Sequence, residues 1–130
     1  KSLKIFTKNH NLDKNVSFFN SMGINEIAKY SKNCAFFLQL SSQEGLGMSI
    51  VESMQLGLIP IVTDIGEIKN YCSHKENSII FSSLLETSEE VCQLINNKDE
   101  RIRLRGNAIN TWSGISTYRE DISTAFDELI

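Results

Sequence analysis

Glu44 and Glu52 enclose a glycine-spaced segment, Gly45-Leu46-Gly47-Met48, within the stretch SSQEGLGMSIVES at residues 41–53. A carboxylate accepts hydrogen bonds well from hydroxyls and repels phosphate. Glycines without a Cβ let a ligand come close to the main chain. A helix opening near Met48 would present N–H groups with no intrahelical partner, and its dipole would add about half a positive charge there. Such an end suits an anion, most naturally phosphate. From Gly47 to Glu52 a helix rises about 7.5 Å. The two carboxylates can therefore bracket a molecule with hydroxyls at both ends and phosphate between, which is the form of a nucleotide sugar. The same residues also fit a plainer reading, with Glu44 complementing the helix dipole and Glu52 solvated on the helix. Spacing alone leaves both readings open.

The elements around this segment alternate. Val16–Phe19, Cys34–Leu38, Ile59–Val62 and Ser78–Phe81 are short runs rich in β-branched or aromatic residues, and they read as strands buried on both faces. Helical faces follow them: Ile24, Ile27, Ala28 and Tyr30; then Met48, Val51 and Met54, with Ile50 beside them; then Val91, Leu94 and Ile95. Ser88 is the expected N-cap of the third, with Glu89 and Glu90 in its first turn. Gly57 suits the left-handed stop of the central helix. Asp64-Ile65-Gly66 is turn chemistry, and a short helix over Glu67–Tyr71 is expected after it. Alternating strand and helix implies βαβ units and a parallel sheet. The Ser41–Met48 loop then leaves the carboxyl end of a strand, where ligands of open parallel sheets sit. The expected fold is α/β, a Rossmann-like parallel sheet with flanking helices and with helices alone from about Thr87 onward. Residues 1–12 read as a helix with Leu3, Phe6 and Leu12 inward. A parallel sheet that opens on a helix is expected to lack its first strand.

Composition narrows the function classes. A chain of 130 residues suffices for one domain with a real core. The formal net charge of −3 argues against a surface for nucleic acid, which needs a basic field. Arg101, Arg103 and Arg105 are offset by Asp99 and Glu100 and read as a solvated helix face. Cys34, Cys72 and Cys92 form no CxxC pair, and His10 and His74 are the only histidines, so no metal site is expected. The cysteines read as reduced thiols of a cytosolic protein. No run approaches the roughly 20 apolar residues of a membrane span. His74 reads as an exposed loop residue and Trp112 as a packing anchor. Asp64 at a strand end lacks the companions that a phosphoacceptor would need.

The segment SSQEGLGMSIVESMQLGLIPIVTDIGEI resembles the donor-binding segment of the retaining GT-B glycosyltransferases of glycosyltransferase family 4, the group 1 glycosyl transferases. The likeness lies in the order of parts: a strand, E-G-x-G, a helix carrying a second Glu, a G-x-P-V-V-like strand and a D-x-G turn. Val16-Ser17-Phe18-Phe19-Asn20 is similar to the family's V-x-F-x-G strand. Thr111-Trp112-Ser113 falls where its F-S-W segment opens a long C-terminal helix. Residues 1–130 are thereby identified as a single, partial nucleotide-sugar-binding domain, the C-terminal half of a GT-B fold.

The resemblance implies roles for individual residues. Glu44 would contact the transferred sugar's hydroxyls and orient it, as the catalytic glutamate. Gly45, Leu46, Gly47 and Met48 would offer main-chain N–H groups to the sugar and diphosphate, Glu52 would bind the ribose, and Met22 would lie beside the base. It implies a nucleoside-diphosphate sugar as donor, no metal requirement, and a cytoplasmic enzyme at the inner face of a membrane in surface-polysaccharide assembly. The family's basic pair that grips the diphosphate, and its acceptor-binding domain, precede the region matched here. A chain without them is expected to hold donor weakly and not to complete transfer. Departures are Gln39-Leu40 for the usual Pro-Ser neighbourhood, Asn20 for Gly, Glu67 for a second Gly, and Asn70 for Glu. A non-catalytic nucleotide-sugar-binding module and an unrelated α/β interaction domain are the competing classes.

Overall fold

The computed structural model describes residues 2–113. Its elements run α1 (Ser2–Asn9), α2 (Ile24–Ser31), β1 (Phe36–Gln39), α3 (Met48–Gln55), β2 (Ile59–Val62), α4 (Ile68–Tyr71), β3 (Ile79–Ile80), α5 (Leu84–Asn96) and α6 (Lys98–Thr111). The chain divides into two compact units, residues 1–30 and 31–130.

In the first unit the helix expected over residues 1–12 ends at Asn9. Its inward face is not the apolar one. Leu3 and Phe6 are 68% and 54% exposed, while Thr7 is buried and donates its hydroxyl to the Lys4 carbonyl at 3.0 Å. The expected strand over Val16–Phe19 does not form. A strand exists only through a ladder partner, and these residues make ring contacts instead. The Lys4 ammonium sits 5.5 Å from the centre of the Phe18 ring, and Phe19 tilts against Tyr30 at 4.7 Å. Ile24, Ile27 and Tyr30 are on α2 as expected but remain exposed.

The second unit is built on a three-stranded parallel sheet, in the order β1-β2-β3. Its register places Phe36 opposite Ile59 and Leu38 opposite Ile61, and Ile61 opposite Ile79. Because side chains alternate across a sheet, that register divides the core into two layers. Ile59, Ile61 and Ile79 pack with Leu94 of α5 and Leu104 of α6 on one face. Val62 packs with Ile50 and Met54 of α3, Ile68 of α4, Cys72 and Ala108 of α6 on the other. All four residues of β2 are buried, as a doubly covered strand requires. Pro60 is tolerated in this central strand because β3 begins opposite Ile61, one residue later. β1 is less covered than expected, with Leu38 64% exposed.

Helix boundaries follow local chemistry. Gly57 ends α3 at φ 73, in the left-handed region expected of it. Ser88 is not the cap of α5. Ser83 is, accepting from the Glu86 amide at 3.2 Å and donating to the Glu86 carboxylate at 3.0 Å. This side-chain cap, at a Ser-x-x-Glu sequence, moves the start of the helix to Leu84, and Ser88 instead donates to the Leu85 carbonyl within it. Asn97 caps α6 by accepting from the Glu100 amide at 3.1 Å. The arginines of α6 serve the fold. Arg101 donates to the Leu94 and Ile95 carbonyls at the end of α5, and Arg103 pairs with Glu100 at 2.6 Å. Trp112 anchors packing through its indole N–H, which reaches the Met54 sulfur at 3.4 Å. The long helix expected after Thr111-Trp112-Ser113 lies outside the described residues.

Candidate functional site

The segment between β1 and α3 emerges at the carboxyl end of the sheet and is held from below by the β2–α4 connection. Thr63, just past β2, donates its hydroxyl to the Ser41 carbonyl at 2.7 Å. The Glu67 amide donates to the Gly45 carbonyl at 3.2 Å. Tyr71, at the end of α4, donates its hydroxyl to the Leu46 carbonyl. Gly66 allows the closest approach. It sits at φ +55, and a Cβ there would lie 2.1 Å from the Glu44 carbonyl oxygen.

Gly47 then turns the chain into α3. Its φ of 71 and ψ of 55 are left-handed, and a Cβ would meet the Ile50 side chain and the Tyr71 hydroxyl, each at 2.9 Å. No side chain caps α3, whereas Ser83 and Asn97 cap α5 and α6. The amides of Met48 and Ser49 therefore open the helix without an acceptor inside it. Within α3, Ile50, Val51, Ser53 and Met54 are buried, and Met48, Ser49, Glu52 and Gln55 are exposed. Met48 and Glu52 thus share the outer face one turn apart. The expected inward role of Met48 is not observed, since it is 58% exposed.

Glu44 is half-buried, and its carboxylate is aimed by a neighbour. Gln39, the last residue of β1, donates its side-chain amide to Glu44 Oε2 at 2.7 Å, with the Ser41 hydroxyl at 3.5 Å from the same oxygen. Gly45, Leu46 and Met48 around the N-terminus of α3 and Glu52 one turn along it are exposed, Glu44 is half-buried, and Gly47 is buried. Met22 belongs to the first unit, two residues before α2, and is half-buried there. Among the described residues no group of three His, Cys, Asp or Glu side chains is arranged to hold a metal ion. No helix among them is long and apolar enough to cross a membrane.

Sequence reasoning missed Gln39 and Tyr71 as parts of this site. Gln39 was visible only as a departure from the Pro-Ser neighbourhood, and its amide now has a use. Tyr71 carried no signal, because its contact spans 25 residues of sequence. The close approach of the two backbones falls at Gly66, one residue before Glu67. The two departures Glu67 and Asn70 answer each other, with the Asn70 amide donating to Glu67 Oε2 at 2.7 Å. Burial pushes the Tyr71 phenol up to about 12, with the charges of Cys72 and Glu44 adding to it.

The family model described as glycosyl transferases group 1 matches residues 1–111. The chain belongs to this family. A crystal structure at 1.35 Å of the C-terminal domain of a glycosyl transferase group 1 family protein, LpcC from Francisella tularensis, is similar in fold, with a TM-score of 0.69 and 21% sequence identity. The likeness covers 85% of this chain and 58% of that one, so this chain spans less than two thirds of its neighbour's length. At that identity the comparison speaks for the Rossmann-like fold. No match was found among curated proteins. In this group 1 domain the E-G-x-G loop and the helix bearing the second glutamate occupy the carboxyl end of the sheet, at the β1–α3 junction.

Proposed function

We propose that this chain is the donor-binding domain of a retaining GT-B glycosyltransferase of family 4, taking a nucleoside-diphosphate sugar as donor. The observation that carries the reading is the uncapped N-terminus of α3, flanked by Glu44 with its carboxylate held by Gln39 and by Glu52 on the outer face of the same helix. In that reading the amides of Gly47 and Met48 and the helix dipole receive the diphosphate. Glu44 accepts hydrogen bonds from the hydroxyls of the transferred sugar and orients it, and Glu52 accepts from the ribose. As the bond to the sugar breaks, negative charge grows on the leaving diphosphate, and donors already positioned there stabilise it without reorganising. No metal ion is assigned a part. The acceptor would be held by a further domain of the same protein, in surface-polysaccharide assembly at the cytoplasmic face of a membrane.

Amide NMR titration of the chain with UDP, GDP and ADP, and with their sugar conjugates, tests the reading. Saturable shifts at Gly45–Met48 are expected with one base. Glu52→Ala removes charge-assisted hydrogen bonds to the ribose and should weaken binding by roughly 10- to 100-fold. Binding indifferent to Glu52→Ala, or no saturable shift at the loop with any of the nucleotides, would count against the reading.

A further inference from the structure

The Leu46–Gly47 peptide lies at the centre of the loop, and its orientation decides where the Gly47 N–H points. In a planar trans peptide the C=O and the following N–H point in opposite directions. The Tyr71 hydroxyl donates to the Leu46 carbonyl, so the Gly47 N–H is turned to the opposite side of the loop from Tyr71. Glycine at 47 lacks the Cβ that would oppose a peptide flip. Its position against Tyr71 is tight, since a Cβ there would lie 2.9 Å from the phenol oxygen.

Tyr71 is itself fixed from the far end of the described chain. Its ring meets the edge of Trp112 at 5.2 Å. Its carbonyl accepts from the Asn77 side-chain amide at 2.8 Å, and the same amide nitrogen reaches the Thr111 hydroxyl at 2.9 Å. Asn77 is buried, and its side-chain oxygen accepts from the Ser73 amide at 2.7 Å. The phenol is therefore presented by a braced scaffold that joins the end of α4 to the end of α6.

We propose that Tyr71 is a positioning residue of the donor site, whose hydroxyl locks the Leu46–Gly47 peptide so that the Gly47 N–H faces the donor diphosphate. This rests on the reading of the loop as a diphosphate site and adds to it the device that keeps one of its donors aimed. The raised phenol pKa keeps the hydroxyl protonated, and so a donor, across the physiological range.

The test compares the wild-type chain with Tyr71→Phe, which retains the ring against Trp112 and removes only the hydroxyl. Two ligands are titrated: the nucleoside diphosphate that the wild type binds best among UDP, GDP and ADP, and the matching nucleoside without phosphates. Freeing the peptide plane should weaken diphosphate binding by about tenfold, the equivalent of roughly one hydrogen bond. Nucleoside affinity should stay within about twofold, because ribose and base do not touch this peptide. Amide exchange at Gly47 and Met48 should quicken in the unliganded variant, with little change in thermal midpoint. A parallel loss of both affinities would overturn the proposal, since it would mark a general structural role. Unchanged diphosphate binding in a variant whose wild type binds would overturn this inference and leave the donor-site reading intact. Absence of diphosphate binding in the wild type would remove the donor-site reading itself, and the inference with it.

Discussion

Replacing Gly66 by Ala is expected to damage the site from below without substituting any candidate ligand-contacting side chain. Two costs can be worked out. Gly66 sits at φ +55, where a residue with a Cβ is disfavoured by about 1–2 kcal/mol. The added methyl would also stand 2.1 Å from the Glu44 carbonyl oxygen and 3.0 Å from that of Gly45. Both are main-chain atoms, so no side chain can swing aside. The connection must open by about 1 Å or more before the contact reaches an ordinary van der Waals distance. That movement loosens the 3.2 Å bond from the Glu67 amide to Gly45 and displaces Glu44 from Gln39. Together, strain and displacement predict a loss of about 2–4 kcal/mol. For a domain of this size that corresponds to a fall in thermal midpoint on the order of 10 °C. A misplacement of about 1 Å at a reacting group can also cost about 100-fold in rate. The internal control is Gly45→Ala, since a Cβ at Gly45 meets nothing within 4 Å. It should change stability by less than about 0.5 kcal/mol. Chemical denaturation of both variants decides the matter. Near-wild-type stability for Gly66→Ala, or equal losses for the two glycines, would refute the proposed packing of the loop.

Gln39→Met keeps the length of the side chain and removes the donor to Glu44. It should weaken binding of the nucleotide sugar by about fivefold and spare the nucleoside diphosphate, as isothermal titration with both ligands can show. Cys34 and Cys92 are exposed and Cys72 is buried, with burial the leading reason that the Cys72 thiol is pushed up to about 11. A thiol reagent at pH 8 should therefore modify Cys34 and Cys92 rapidly and reach Cys72 only on unfolding. The same shift has a sign for stability. A thiol whose folded pKa lies above its unfolded value of 9.0 binds more protons in the native state, so its contribution holds below about pH 9 and is lost as pH rises towards 11. Denaturation midpoints across that window should fall, and less steeply in Cys72→Ala. Ser83→Ala removes the N-cap of α5 and should cost about 1 kcal/mol in denaturant unfolding, whereas Ser88→Ala should be close to neutral.

The parts of this fold that could be read from sequence are those whose cause is local or periodic. β2 was visible because a doubly covered strand must be apolar throughout, and Gly57 because a helix stop of that kind favours glycine. The E-G-L-G segment was legible as a turn running into a helix, for the same conformational reason. Val16–Phe19 misled because β-rich composition states a preference while only a ladder partner makes a strand. Ser88 misled although the stronger signal, Ser83 followed three residues later by Glu86, stood in the same stretch. What local pattern could not express is the support of the site. Gln39 reaches Glu44 across five residues and Tyr71 reaches Leu46 across 25, and neither residue type announces such a contact. Glu67 and Asn70 show the point most sharply. Each looked like a loss when compared singly with the family pattern, yet their side chains bond to each other, and the main chain of Glu67 still reaches Gly45. Substitutions around such a site are thus better judged as pairs of contacting residues than as positions in a motif, because the geometry of the E-G-L-G loop depends on the contacts being made and not on which residues make them.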